Sequence, residues 1–335
     1  MATHARPSAR TLLRAAADQF DLAFLAMILG LALAASASPA RAQAGAGAAF
    51  TLVETGQGFS SLQSAIDAVG DRRATIAIAP GTYRRCAVQR AGVITYEARD
   101  PGSVTFAGRA CEGKAALVLR GLGAEVRGIH FTGISVRDGN GAGIRLERGA
   151  LNVVRSRFSN SQQGILTGND PAAQIFITSS TFSGLGTCEN SAGCAHAIYI
   201  GNYGRLTVTE SRFERGRGGH YVKARAASVV ITNSSFDDSA GSGTNYMIDL
   251  PAGTTGQIAG NWFVQGRDKQ NHSAFIALGA ETLLHASDGL VIADNEARFV
   301  PGLRRSSAFV ADWTGSRIAM SGNRLARGLT GYERR

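Results

Sequence analysis

A block of eight residues recurs after residue 150, and this repeat limits the folds that the chain can adopt. In nearly every copy the first and third residues are apolar, the sixth is small and polar, and the eighth is Phe or another apolar residue. The copies are residues 151–158, 175–182, 206–213, 229–236, 256–263, 290–297 and 318–325, and a weaker copy ends at Phe131. Such alternation is typical of a strand with one buried face. Because the copies begin 23 to 34 residues apart without helical periodicity between them, we expect stacked parallel strands.

The repeat therefore predicts an all-β protein, a single right-handed parallel β-helix. We expect about eight coils over residues 50–327 and a C-terminal tail at 328–335. The eighth positions predict an aromatic row inside the core, formed by Phe131, Phe158, Phe182, Phe213, Phe236 and Phe263. The sixth positions predict a polar ladder at the bend, formed by Ser156, Ser180, Ser211, Ser234, Asn261, Asn295 and Asn323.

The N-terminal part of the chain carries two further signals. Residues 60–69 have helical apolar spacing, which predicts a short helix that caps the N-terminal end of the solenoid. Three arginines within the first 14 residues precede an apolar stretch at 22–37 and then small residues. This order is typical of a secretory signal peptide, so we predict one at 1–42 with cleavage after Ala42 or Ala44. An uncleaved anchor is the alternative. The mature chain is expected to be secreted or periplasmic and to lack a transmembrane domain.

Four cysteines fit an exported protein. Cys86 and Cys111 are about one coil apart, and Cys188 and Cys194 enclose five residues. An even number of cysteines in an exported chain favours disulfides, so we predict the bonds Cys86–Cys111 and Cys188–Cys194. A zinc site is less well supported because no Cys-x-x-Cys pair is present.

The net charge is +10, and all but three of the 35 basic residues are arginine. A basic protein attracts anionic partners. Export argues against nucleic acid, so we expect an acidic polysaccharide as the partner. We expect a monomer.

Several motifs resemble the pectate-lyase-like superfamily of β-helix proteins. They are the cap helix, the Pro-Gly-Thr-Tyr turn at 80–83 and the coils that end in Ser/Asn-x-Phe. The segment Gly-His-Tyr-Val-Lys-Ala-Arg-Ala at 219–226, with Ile-Asp-Leu-Pro at 248–251, is similar to a subgroup of exported bacterial β-helix proteins. The resemblance implies a polysaccharide lyase, hydrolase, esterase or epimerase, or else an adhesin or scaffold. Pectin methylesterase and polygalacturonase motifs are absent.

A second strand in each coil presents a candidate site. Its outward positions are Arg145, Leu166, Tyr199, Lys223, Asp249, Ala277 and Ala311, so three polar residues follow one another in consecutive coils. Neighbouring coils lie about 4.8 Å apart, and Tyr199, Lys223 and Asp249 are therefore expected to meet, with Arg225 on the same face. His196, His220 and Tyr246 form a row three positions earlier. Strict alternation turns that row inward unless the coil bends there. The loops before the second strand vary in length, which is typical of the binding face of a solenoid.

Lys223 is one of only three lysines in an arginine-rich chain. A lysine whose pKa is lowered can act as a base, whereas arginine remains protonated. For β-elimination of a uronate polysaccharide we assign Lys223 as the base, Arg225 as the partner of the carboxylate, Tyr199 or His220 as the acid, and Asp249 as the group that orients Lys223. Epimerisation at C5 uses similar groups. Arg145, His196, Tyr246 and Glu281 are predicted to bind substrate.

Other interpretations of these residues stay open. Lys223 and Asp249 form a simple inter-coil salt bridge if the protein is a non-catalytic polysaccharide-binding or envelope-assembly protein. A glycoside hydrolase would need two carboxylates, with Asp249 paired to Asp237, Asp238 or Glu281. The same four carboxylates are the candidate ligands for Ca²⁺, the one cofactor that we consider.

Overall fold

The computed structural model describes residues 47–190 and 193–335, and these residues form the predicted parallel β-helix. The predicted signal peptide at 1–42 and its cleavage positions lie outside the described residues. Each coil contributes one strand to each of three sheets, in the order sheet 1, sheet 2 and sheet 3.

Sheet 1 has 12 strands, of which the first two are antiparallel. They are Phe50–Leu52, Gly58–Phe59, Arg73–Ile78, Val93–Ala98, Gly123–Arg127, Ala150–Val154, Asp170–Thr178, Tyr203–Thr209, Ser228–Thr232, Thr255–Ala259, Val291–Ala293 and Ala319–Ser321. Sheet 2 has 10 strands, which are Gly81–Tyr83, Val104–Ala107, Ile129–Thr132, Arg157–Ser159, Thr181–Ser183, Arg212–Glu214, Ser235–Asp237, Trp262–Gln265, Glu296–Phe299 and Arg324–Leu325. Sheet 3 also has 10 strands, which are Ala87–Gln89, Ala115–Leu119, Ala142–Leu146, Gln163–Thr167, Ile198–Ile200, Val222–Ala224, Ile248–Leu250, Ala274–Leu278, Ser307–Asp312 and Leu329–Arg334.

The predicted solenoid of about eight coils is confirmed, and strands outside the recognised repeats continue it at both ends. Strands Gly81–Tyr83 and Val104–Ala107 extend sheet 2 toward the N-terminus, where Tyr83 and Phe106 continue the aromatic row. The segment 328–335 is not a tail, because Leu329–Arg334 pairs in parallel with Ser307–Asp312. This last strand pairs with only one neighbouring strand, and its residues are at most partly buried.

The aromatic row fills the core beneath sheet 2. Phe131, Phe158, Phe182, Phe213, Phe236 and Phe263 are paired in register from coil to coil, as predicted. Successive ring centroids lie 4.8 to 5.1 Å apart and the rings are nearly parallel. All six side chains are fully buried. Stacked burial of large apolar side chains in every coil is the main source of stability in this architecture.

The polar ladder forms at the corner between sheets 1 and 2, also as predicted. The backbone N–H of Ser156 donates to Ser180 Oγ at 3.2 Å, and the pattern continues along the row to Asn295 N and Asn323 Oδ1 at 3.1 Å. The residue before each rung has a positive φ, for example 50° at Asn233 and 65° at Gly260. This left-handed residue turns the chain sharply, so the next backbone N–H has no partner in a β-sheet. The Ser or Asn side chain of the neighbouring coil accepts a hydrogen bond from that N–H.

The N-terminal end of the core is covered by a helix at Leu62–Val69. Ser61 is its N-cap and accepts a hydrogen bond from Ser64 N at 3.1 Å. Leu62, Ala65, Ile66 and Val69 face the core. None of the helices within 47–190 and 193–335 is long and apolar enough to span a membrane.

Candidate functional site

A cleft of about 800 Å³ lies along the outer face of sheet 3. It is lined by residues of four consecutive strands and of the loops that precede these and neighbouring strands of sheet 3, and Cys194 borders it. Both predicted disulfides are present, and the bond Cys188–Cys194 fixes the loop at the rim of the cleft. Disulfides are compatible with an extracellular or periplasmic location.

Lys223 lies in the cleft within a cluster of charged residues. The register pairs Lys223 with Tyr199 on one side and Asp249 on the other, as the repeat predicts. Lys223 Nζ donates to Asp249 Oδ2 at 2.8 Å and to Glu281 Oε1 at 2.7 Å. Arg225 donates to Glu281 and to the Tyr199 hydroxyl, and its guanidinium lies over the Tyr199 ring at 5.2 Å.

These contacts set the charge of Lys223. Burial alone would lower the pKa of Lys223, but the Asp249 and Glu281 carboxylates outweigh burial and raise that pKa above its ordinary value. Lys223 is therefore protonated at neutral pH, and its amine has no free electron pair. A general base needs a pKa near the working pH, so the base role predicted for Lys223 would require these contacts to change.

The row of His196, His220 and Tyr246 faces outward. His196 and His220 line the cleft, with ring centroids 5.0 Å apart, and Tyr246 stacks on His220 at 5.6 Å. Tyr221 and Val222 are consecutive residues, yet both point into the core, which shows that the coil bends just before the strand. This break in the alternation turns the preceding histidine toward the cleft.

Both imidazoles are neutral, His196 through a hydrogen bond and burial, and His220 mainly through burial. His220 N donates to His196 Nδ1 at 3.0 Å, so the proton of His196 sits on Nε2. Burial, with smaller contributions from neighbouring cations, lowers the pKa of His196 well below its ordinary value. Burial and the charge of Lys223 lower the pKa of His220 to about 3. The contact of 3.4 Å between His220 Nε2 and Asp249 Oδ2 is therefore not an ion pair at neutral pH.

Gly219 allows this close approach of the two histidines. Its φ is +60°, and a Cβ at this position would lie 2.2 Å from Ala195 O and 2.6 Å from His196 Nδ1. Any side chain at residue 219 would therefore push His220 N away from its acceptor.

Arg145 differs from the other cations of the cleft because it has no partner among the residues that the structure describes. It makes no hydrogen bond or ion pair with any residue of 47–190 or 193–335, and its Nε is buried. Lys114, which also lines the cleft, is held by Glu147 at 2.6 Å. Gln163 is 2 % exposed and donates to Asn140 Oδ1 at 2.9 Å, while its Oε1 has no partner. Within the described part of the chain, the cleft thus contains one unpaired cation and one unpaired amide oxygen.

Sequence reasoning missed Gln163, Lys114, Asp138 and Asn140. Gln163 stands three positions before Leu166, as His196 does before Tyr199, so extending the histidine row by one coil would have found it. Lys114, Asp138 and Asn140 lie in loops of variable length. Their positions therefore cannot be predicted from the spacing of the repeat.

The carboxylates considered for Ca²⁺ do not form a metal site. No group of three or more His, Cys, Asp or Glu side chains in the described part of the chain is placed to hold an ion. Asp238 accepts from Lys269, Asp249 accepts from Lys223, and Glu281 binds Lys223 and Arg225. Their oxygens thus neutralise cations of the protein itself, and these residues do not fit calcium. The burial of Asp238 beside Lys269 also removes it as a hydrolase partner of Asp249.

Comparison with known proteins agrees with the architecture. A family model described as the right-handed β-helix region matches residues 120–299, which is more than half of the chain. The chain belongs to this right-handed β-helix family. This match supports the predicted resemblance to the pectate-lyase-like superfamily of right-handed β-helix proteins.

Two solved structures resemble this β-helix protein. The Streptococcus pneumoniae surface protein and adhesin PfbA aligns with a TM-score of 0.41 and 11% identity, over 82% of this chain and 94% of that chain. The Escherichia coli protein ybhc aligns with a TM-score of 0.39 and 16% identity, over 80% of this chain and 81% of that chain. A search of curated protein sequences found no match to this β-helix protein.

Proposed function

We propose that this protein binds an acidic polysaccharide in the cleft of sheet 3, with a uronate carboxylate at Arg145. The observation that carries the proposal is the unpaired Arg145 in a cleft of about 800 Å³. A cation without a counter-ion in a partly dehydrated cleft favours an anionic ligand, and a guanidinium suits the two oxygens of a carboxylate. The free oxygen of Gln163 and the neutral Nε2–H of His196 supply an acceptor and a donor for sugar hydroxyls.

Replacing Arg145 by alanine is expected to weaken the binding of a uronate oligosaccharide by about 10- to 100-fold, because a charge-assisted hydrogen bond contributes about 1.5–3 kcal/mol. Titration calorimetry with oligogalacturonate and a neutral oligosaccharide measures the effect. Arg157→Ala is the matched control, since Arg157 is an exposed arginine on sheet 2 and its loss should leave affinity nearly unchanged. Equal losses in both variants would mean that net charge, rather than the cleft, governs binding.

A lyase or C5-epimerase acting on the same class of polysaccharide is the second candidate. It is favoured by the Tyr199 hydroxyl, which Arg225 holds in the cleft beside Lys223. Such a reaction requires Lys223 to lose its proton when substrate displaces an acidic partner. Incubation with a panel of uronate polysaccharides, followed by the absorbance of the unsaturated product, detects the lyase.

Lys223→Arg separates the two candidates. Arginine keeps the charge that Asp249 and Glu281 neutralise, so we expect the thermal midpoint and oligosaccharide binding to change little. If Lys223 is a base, the same variant should abolish turnover, because a guanidinium is not a proton acceptor at neutral pH. An active enzyme whose rate is unaltered by Lys223→Arg would contradict the catalytic role.

A further inference from the structure

Glu281 occupies an unusual position beside the cleft. Its carboxylate bridges Lys223 and Arg225, each of which binds one of its oxygens. The Glu281 side chain is 44% exposed, whereas the side chains of Lys223 and Arg225 are 11% and 23% exposed. The two cations are thus held in the wall of the solenoid, and the carboxylate approaches them from the solvent side.

The other carboxylate of the cluster, that of Asp249, belongs to a strand rather than to a loop. Asp249 is 3% exposed and lies on a sheet 3 strand, in register with Lys223. Asp249 alone can neutralise Lys223, so Glu281 supplies the counter-charge for Arg225. The Asp249 side chain is enclosed, with 4% exposure, whereas the Glu281 side chain is 44% exposed and can leave by rotation into solvent.

We propose that Lys223 and Arg225 form a second carboxylate subsite, which Glu281 fills in the free protein and a uronate carboxylate fills in the complex. This inference rests on the proposed function. Arg145 and Lys223 are three strands apart in sheet 3, or about 14 Å. A single uronate cannot reach both cations, so the two subsites together select an oligomer.

The loop that carries Glu281 is anchored without the carboxylate. Glu281 N donates to Pro251 O at 3.1 Å, and the backbone of Leu284 and His285 donates to Ala252 O at 2.8 and 3.0 Å. His285 Nε2 also contacts Arg225 O at 3.2 Å. Changes to the Glu281 side chain should therefore leave the loop folded.

Glu281→Gln tests the competition directly. Glutamine keeps the size of the side chain but removes its charge, so the subsite is more often free. We expect affinity for oligogalacturonate to rise by about 3- to 10-fold, because apparent affinity increases with the competent fraction of the protein. Glu296→Gln is the control, since Glu296 is 41% exposed and pairs with Arg324 on sheet 2. Lower affinity in Glu281→Gln, with Glu296→Gln unchanged, would mean that Glu281 positions Arg225 and would overturn the inference.

A second measurement separates the subsite from the polysaccharide. In Glu281→Ala the vacated subsite should bind acetate, which should raise the thermal midpoint of this variant more than that of the wild type or of Glu296→Ala. An equal rise of the thermal midpoint with acetate in all three proteins would overturn the subsite. This conclusion does not depend on whether acetate also binds Arg145, because all three proteins retain Arg145. A specific acetate response without oligogalacturonate binding by any form would support the subsite and overturn the proposed polysaccharide.

Discussion

Replacing Phe213 by alanine is expected to lower the free energy of unfolding by about 3–5 kcal/mol. Phe213 lies in the middle of the aromatic row, with ring centroids 4.8 Å from Phe182 and 4.9 Å from Phe236, and Tyr221 packs against its edge. All of these side chains are fully or almost fully buried. Rigid coils on both sides prevent collapse, so the truncation leaves a cavity as well as losing buried surface. Urea unfolding of the mature protein measures the loss.

Phe176→Ala is the matched control for this prediction. Phe176 lies on sheet 1 with 39% exposure, so the same truncation leaves no enclosed cavity. We expect a change of about 1 kcal/mol or less. Similar losses at residues 176 and 213 would contradict the view that the aromatic row dominates stability.

Lys269→Met is expected to destabilise the protein by about 3–5 kcal/mol, because it leaves a buried carboxylate without its counter-ion. The side chains of Lys269 and Asp238 are both 0% exposed and lie 3.1 Å apart. Asp238 also accepts from Tyr221 and Thr244, each at 2.8 Å. This network joins the loops between sheets 2 and 3 in neighbouring coils. The thermal midpoint and urea unfolding of the variant measure the effect.

Arg324→Met provides the comparison, since Arg324 and Glu296 lie 3.0 Å apart but are 77% and 41% exposed. An exposed pair contributes about 0–1 kcal/mol, so little change is expected. Replacing Lys269 and Asp238 together by apolar residues should not restore stability, because Tyr221 and Thr244 would lose their acceptor. Full recovery in that double variant would show that the network contributes nothing beyond the ion pair.

The fold could be predicted because each coil repeats the same physical constraints. Phe213 and Ser211 occupy fixed positions relative to a strand. In every copy the residue at the Phe213 position must be buried, and the residue at the Ser211 position must form hydrogen bonds at the turn. The same register correctly predicted that Tyr199, Lys223 and Asp249 are neighbours, because paired parallel strands in this solenoid cannot shift relative to one another. Residues governed by the repeat are therefore accessible to sequence reasoning.

The charge state of the site was beyond sequence reasoning. Glu281 was assigned to substrate, yet it binds Lys223 and Arg225 from a loop 58 and 56 residues away. No spacing rule fixes where such a loop returns. The orientation of His220 depends on a bend in the backbone, and alternation alone leaves that orientation undecided. Arg145 was in the predicted row, but its lack of a partner is visible only when all neighbours are in place.

Two of the three corners of each coil differ in how they would tolerate inserted residues. At the corner between sheets 1 and 2, one left-handed residue and one rung of the polar ladder complete the turn. An extra residue there would break hydrogen bonds to the coils above and below. The loops between sheets 2 and 3 already range from the short link after Ser159 to the disulfide-closed loop of Cys188 and Cys194. New binding specificities can therefore be grafted between sheets 2 and 3, next to the cleft, while the corner between sheets 1 and 2 keeps the coils in register.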